Sequence, residues 1–321
     1  MKVTCFGSRG SLPAPSRKDF STVGFGGNTN CFYVEAGPFK IILDAGSGIS
    51  VLSEKLMAEW ATSGRNGSQF ILWLSHYHWD HIQGLPFCVP FFIKDNKFFI
   101  RGFSPSGLEG DLPKTAVEQM LTHQQSNPHF PIAHGSLPAQ RNYKSHQRQF
   151  SETGPFSWIS KTIGGDPQVF PFLIDKEDPH LTWTSIPLNH PDGAVGVRID
   201  YEGKSLAYCC DNEPLRYPNA GISKLAKDVD LLIMDGAYAE HQIQGATQTF
   251  GHGTPTSCLE QALACRAKKL VVTHHDPRHD DERLELMEDL LKKSALLDCT
   301  TFDVKPEIVF AREGASYLLE K

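Results

Sequence analysis

The chain has 321 residues, with 31 Lys and Arg against 37 Asp and Glu, a formal net charge of −6. Hydrophobic residues at 40% and charged residues at 21% fit a folded chain and exclude long disorder and collagen-like repeats, while the acidic balance excludes a broadly basic nucleic-acid binder. No run of about 18 apolar residues occurs, and MKVTCFGSRG at the start lacks a secretory apolar core, so a cytoplasmic protein beginning at Met1, without membrane contact, is expected.

In chain order, short apolar runs of strand length fall at 40–46 (KIILDAG), 69–75 (QFILWLS), 182–188 (TWTSIPL), 205–211 (SLAYCCD), 230–236 (DLLIMDG) and 269–275 (KLVVTHH). Their two-sided apolarity implies sheets covered on both faces. Helical spacing follows the first run, with Ile49, Leu52, Leu56 and Trp60 on one stripe, and recurs near the end with Leu284, Met287 and Leu291. Between them, 254–267 reads as a helix opened by Pro255, with Ser257 and Glu260 spaced as a capping box. Residues 87–182 are rich in Pro, Gly, Ser, Gln and His, with nine basic and nine acidic side chains. They read as an inserted subdomain in a single 1–321 domain, either a lid over the site or an oligomer interface that would make a homodimer. Phe91, Phe92, Phe98, Phe99 and Phe103 suit a local core there, and the histidines at 123, 129, 134, 146 and 180 suit a polar surface. The eight cysteines include no C-x-x-C pair, which suits reduced thiols.

The run at 69–75 leads into His76-Tyr77-His78-Trp79-Asp80-His81. Four imidazole or carboxylate donors in six residues, where a buried strand becomes a loop, suit a divalent metal. Other apolar runs end at His190, Asp211 and His274-His275, each offering a further ligand. These motifs, in this order, resemble those of the metallo-β-lactamase fold superfamily. The resemblance implies an α/β fold, a four-layer αββα sandwich. It also implies one metal held by His76, His78 and His190, a second held by Asp80, His81 and His274, and Asp211 bridging them. Asp80 would also serve as a catalytic carboxylate, and His275 is the alternative to His274. Two divalent ions are expected, zinc first, with manganese and iron open.

CFGSRGSLP, GFGGNTNC and IILDAGSG resemble the branch containing ribonuclease Z and the cyclic-phosphodiesterase-like hydrolases. Phe250-Gly251-His252-Gly253-Thr254 matches that branch's G-H-[SM]-T element, and Met234-Asp235-Gly236-Ala237-Tyr238 its H-E-A-T-[FY], with Asp235 replacing Glu. By that likeness His252 contacts the scissile phosphate, Asp235 orients His252, and Asn28 joins the substrate-binding residues. Only Arg141, Lys144, His146 and Arg148 form a basic cluster in the insertion, a small footprint for RNA. The expected function is metal-dependent hydrolysis of a small phosphodiester, a cyclic nucleotide or phosphoribosyl cyclic phosphate. RNA 3′ processing is the alternative, and a catalytically silent metal-bound sensor or scaffold a third reading.

Overall fold

In the computed structural model, which describes all residues except 65–66, 104–114, 147–167, 171–180, 215–217, 244–249, 299–302 and 321, each of the six apolar runs becomes a strand. One sheet contains β1 (Lys2–Gly7), β2 (Cys31–Ala36), β3 (Phe39–Leu43), β4 (Gln69–Trp73), β5 (Lys97–Phe103) and β6 (Gln140–His146), with β14 (Ser316–Leu318) beside β1. The other runs β13-β12-β11-β10-β9-β8-β7, from β7 (Gln168–Phe170), β8 (Leu181–Leu188), β9 (Ala194–Tyr201), β10 (Lys204–Cys209) and β11 (Leu231–Asp235) to β12 (Lys269–Thr273) and β13 (Glu307–Phe310). Strands β3 to β6 are parallel, as are β10 to β13.

The unbroken apolar runs have a simple cause. Along β11, Leu231 and Ile233 face the core between the sheets, whereas Leu232 and Met234 face helices. Strand β4 does the same, Ile71 and Trp73 pointing inward and Phe70 and Leu72 outward. Side chains alternate with a period of two, so a strand covered on both sides is apolar at every position. Helices α1 (Gly48–Ser63) and α3 (Ala116–Gln124) cover the first sheet. Helices α4 (Ala220–Leu225), α5 (Pro255–Cys265) and α6 (Asp281–Asp298) cover the second, completing the αββα layering. The short α2 (Trp79–Ile82) lies within the histidine-rich loop. No described helix is long and apolar enough to cross a membrane, and the seven described cysteines are buried and free of disulfides.

Some of the local expectations change. Helix α5 is capped by Thr254, whose hydroxyl accepts from Ser257 N while Ser257 Oγ accepts from Thr254 N. Pro255 starts the helix and has no N–H, so the box is Thr254–Ser257 and not Ser257–Glu260. Among the described residues, the segment read as an insertion supplies β5, α3 and β6, which extend the first sheet, and β7 at the edge of the second. Its strands were hard to read because β5 carries a buried arginine, Arg101, whose guanidinium donates to the carbonyls of Ile100 and Asn142. The phenylalanines expected to form a local core there do not: Phe91 and Phe98 stack at 3.8 Å in the core shared with α1, Phe103 faces the core between the sheets, and Phe92 is exposed. Most of the remaining segment, including Arg148 and His180, lies outside the described residues.

Candidate metal centre

The carboxyl ends of β3, β4, β10, β11 and β12 meet at one edge of the sandwich, where parallel strands deliver side chains and loops to a common crevice. His76, His78, Asp80 and His81 follow β4, His190 follows β8, Asp211 follows β10, Asp235 closes β11 and His274 follows β12. Asp44, Asp211 and His274 have φ of 60°, 57° and 61°. A left-handed residue lets the chain turn sharply at a strand end, at a cost of order 1–3 kcal/mol each.

The ligands expected from the sequence form two adjoining groups, His76 with His78 and His190, and Asp80 with His81, Asp211 and His274, and a third possible group joins Asp211 and His274 to Asp235 and His252. In the first, His78 Nδ1 lies 3.0 Å from His190 Nε2. In the second, His81 Nε2 is 3.3 Å from His274 Nε2, and Asp80 Oδ2 is 3.0 Å from His274 Nε2 and 3.3 Å from His81 Nε2. Asp211 stands between them. Its Oδ1 is 3.2 Å from both His81 and His274, while its Oδ2 is 3.5 Å from His76 Nε2 and 3.6 Å from His190 Nε2. Donors about 2.0–2.1 Å from a tetrahedral ion stand roughly 3.3 Å apart, so both groups have the spacing a divalent ion requires. His76 Nε2 is buried with no hydrogen-bond partner, a lone pair aimed at a cation. The residues present therefore fit divalent metal.

Hydrogen bonds behind the cluster hold the rings with Nε2 forward. His81 Nδ1 donates to Asp44 Oδ2 at 2.8 Å. His76 Nδ1 meets Ser75 Oγ at 3.0 Å, and that hydroxyl donates to Asp44 Oδ2 at 2.8 Å. His190 Nδ1 donates to the Gly251 carbonyl at 3.0 Å. Such outer partners fix tautomer and orientation. The backbone lies so close to two rings that a side chain at Gly10 or Gly251 would strike His274 or His190.

Charge divides the site. Burial, then the neighbouring His81, pushes His76 well below the usual imidazole range, and burial lowers His190 to about 3 despite Asp211. Burial would also lower His81, but Asp211, Asp80 and Asp44 outweigh it and hold the proton. Burial would raise Asp80 and Asp211, yet the facing histidines keep both well below the usual carboxylate range.

His252 and Asp235 are brought to the same edge. His252 Nδ1 donates to Asp235 Oδ2 at 2.8 Å, and its ring stacks on His274 at 4.7 Å. Asp235 Oδ1 accepts from Ala237 N, which fixes the carboxylate. Burial works against a charged His252, but Asp235 more than offsets it and raises the imidazole to about 9.

Two candidates lie elsewhere. His275 Nε2 donates to the Ala311 carbonyl and its ring stacks on Phe310, so His274 joins the cluster and His275 the core. Asn28, expected to touch substrate, has its amide committed instead: Nδ2 donates to Glu313 and Oδ1 accepts from Ser47. Asp44 and Ser75 were not singled out by sequence reasoning. The available signal was an aspartate closing a buried apolar strand, as in IILDAG.

Comparisons with known proteins bear on the family and the fold. A family model described as beta-lactamase superfamily domain matches residues 40–275. Ribonuclease Z of Haloarcula marismortui is 20% identical over 308 residues, covering 90% of each chain. Ribonuclease Z of Brevibacillus brevis is 34% identical over 104 residues, 32% of this chain and 31% of that protein. Among solved structures, human tRNase Z, short form, superposes with a TM-score of 0.60 at 17% identity over 100% of both chains. A diphosphatase of the PhnP family gives 0.57 at 15% identity, over 99% of this chain and 98% of that one.

Asp44→Asn keeps the shape of the side chain but removes the charge that fixes His81 and, through Ser75, His76. We expect metal affinity, measured by chelator competition, to fall about 10- to 100-fold with the far-ultraviolet spectrum unchanged. Unaltered affinity would show that Asp44 has no bearing on the ligands.

Proposed function

Because the chain belongs to the beta-lactamase superfamily, we propose that this metal-dependent hydrolase cleaves a small phosphodiester, with a cyclic nucleotide as the preferred substrate class. The observation that carries this reading is the His252–Asp235 pair, an imidazole hydrogen-bonded to a carboxylate beside the ligand cluster. Hydrolysis of a lactam or thioester needs no such pair, whereas a phosphoryl group gains from a cation at its non-bridging or leaving oxygen.

In this reading His76, His78 and His190 hold one divalent ion, Asp80, His81 and His274 hold a second, and Asp211 is shared. Zinc suits the donors, as do manganese and iron. Bound there, the ions supply Lewis-acid activation of water and neutralise charge on the phosphoryl group. The chain does the rest. Asp80 Oδ2, fixed by the Ser11 N–H at 2.8 Å, orients the attacking side. His252 donates its hydrogen bond or proton to the phosphate, and Asp235 positions the ring and favours its charged form.

Substrate size and shape are supported by the surroundings. The net charge is −6, and in the basic cluster Arg141 spends its guanidinium on the carbonyls of Leu137, Ala139 and Gly135. Three large apolar side chains next to site residues are exposed: Trp79 at 65%, between His78 and Asp80; Leu12 at 63%, beside Ser11; and Phe250 at 54%, beside Gly251. An exposed tryptophan in a metal loop suits stacking on a flat apolar group, which favours a nucleotide over a phosphoribosyl phosphate. RNA cleavage is the second reading, favoured by the relatives named ribonuclease Z.

Three measurements test these assignments. His252→Ala should keep the metal content yet lower kcat on a phosphodiester by about a hundredfold, the usual scale for a positioned charge or acid, with a smaller loss for Asp235→Asn. Unchanged turnover would remove His252 from the chemistry. Trp79→Ala should raise KM for a nucleoside cyclic phosphate about tenfold, with kcat and the KM for an alkyl phosphodiester little changed; equal effects on both would remove the stacking role.

The third measurement concerns size. For a small substrate kcat/KM should change little between low and physiological salt, whereas RNA binding weakens by roughly 0.7 per neutralised phosphate on a log–log plot. Precursor tRNA competing at sub-micromolar concentration, with that competition lost in Arg141→Ala/Lys144→Ala/Arg148→Ala, would replace the small-substrate reading with the nuclease one.

A further inference from the structure

Behind Asp211 runs a chain of hydrogen bonds that the metal motifs do not include. The Thr273 hydroxyl donates to Asn30 Oδ1 at 3.1 Å, Asn30 Nδ2 donates to Cys210 Sγ at 3.0 Å, and the Cys210 thiol donates to Asp211 Oδ1 at 3.0 Å. Thr273, Asn30 and Cys210 are fully buried, and Asp211 almost so. Each link has one sensible direction. Thr273 can donate only if Asn30 presents its oxygen, which turns the amide nitrogen toward sulfur, and the sulfur, with its lone pair engaged, presents its hydrogen to the carboxylate.

The chain also crosses the molecule. Asn30 immediately precedes β2 in the first sheet, Cys210 follows β10 in the second, and Thr273 closes β12 just before His274. The adjacent cysteine, Cys209, has no such contact and packs in the apolar core beneath the helices.

The geometry points to Cys210 as a positioning residue that aims Asp211 Oδ1 at His81 and His274 and so sets how tightly the shared carboxylate holds metal. This rests on the reading of Asp211 as a ligand. A buried carboxylate with one oxygen free to rotate would lose that aim. A thiol is a weak donor, so it fixes direction while leaving the oxygen basic enough to bind a cation.

The test compares Cys210→Ala, which removes the donor, with Cys210→Ser, which keeps one. Apparent affinity for zinc is read by chelator competition, and stabilisation by the difference in Tm between metal-loaded and chelated protein. Cys210→Ala should weaken affinity about tenfold, within the range for lost outer-shell partners, and shrink the Tm difference between metal-loaded and chelated protein beyond the loss that both forms share from the void and the unpaired Asn30 amide. Cys210→Ser should recover most of the affinity. Wild-type affinity in Cys210→Ala, or equal losses in both variants, would reduce Cys210 to a packing residue and overturn the proposal with the metal reading intact. Wild-type protein that binds no divalent ion, or Asp211→Ala with unchanged binding, would overturn the ligand reading and the proposal together.

Discussion

The active edge depends on one buried charge. Asp44, fully buried at the end of β3, accepts hydrogen bonds from the Ser75 N–H and hydroxyl, from His81 Nδ1 and from the Tyr208 hydroxyl at 2.6 Å. An uncompensated carboxylate there would be prohibitively costly, and four donors make the position tenable. The donors come from β10 and from the loop after β4, so the same carboxylate ties the two sheets together where the ligands converge. Tyr208 sits three residues before Asp211, and fixing it fixes the path of β10 into the site. The αββα layering brings the strand ends together; Asp44 sets the angles at which they meet.

How legible this was in the sequence follows from distance along the chain. The cluster 76–81 is contiguous, so its donors declare themselves by density, and His190, Asp211 and His274 could be placed once family order was matched. His252 and Asp235, 17 residues apart, needed the same likeness. The supports behind the donors were invisible for a physical reason. Asp44, Ser75, Tyr208, Asn30 and Cys210 lie at the ends of apolar strands, where each looks like an ordinary turn or core residue, and their partners are up to 243 residues away. Asn28 shows the converse: a short glycine-flanked polar loop looks available to a ligand, and in the fold its amide is engaged by Glu313 and Ser47. The strands β5 and β6 were missed because the periodicity that marks a strand assumes one set of burial rules. Arg101 breaks them by satisfying its charge on carbonyls of its own sheet.

Two histidine–aspartate pairs in the site have the same 2.8 Å bond and suit opposite tasks. His81 pairs with Asp44 and His252 with Asp235, each through Nδ1. The difference lies in what faces the rest of the ring. His81 is fully buried with its Nε2 among Asp80, Asp211 and His274, so in the metal-free protein it holds a proton only because three carboxylates surround it. Were His81 to ligate a cation through Nε2, it would give up that proton, so binding there would be coupled to proton release. The His252 side chain is 11% exposed at the rim, and Asp235 is the first of the charges that raise it. In the proposed reading the same carboxylate partnership would therefore turn one imidazole toward a metal and the other toward a substrate, the difference being that one ring is enclosed and the other stands at the opening.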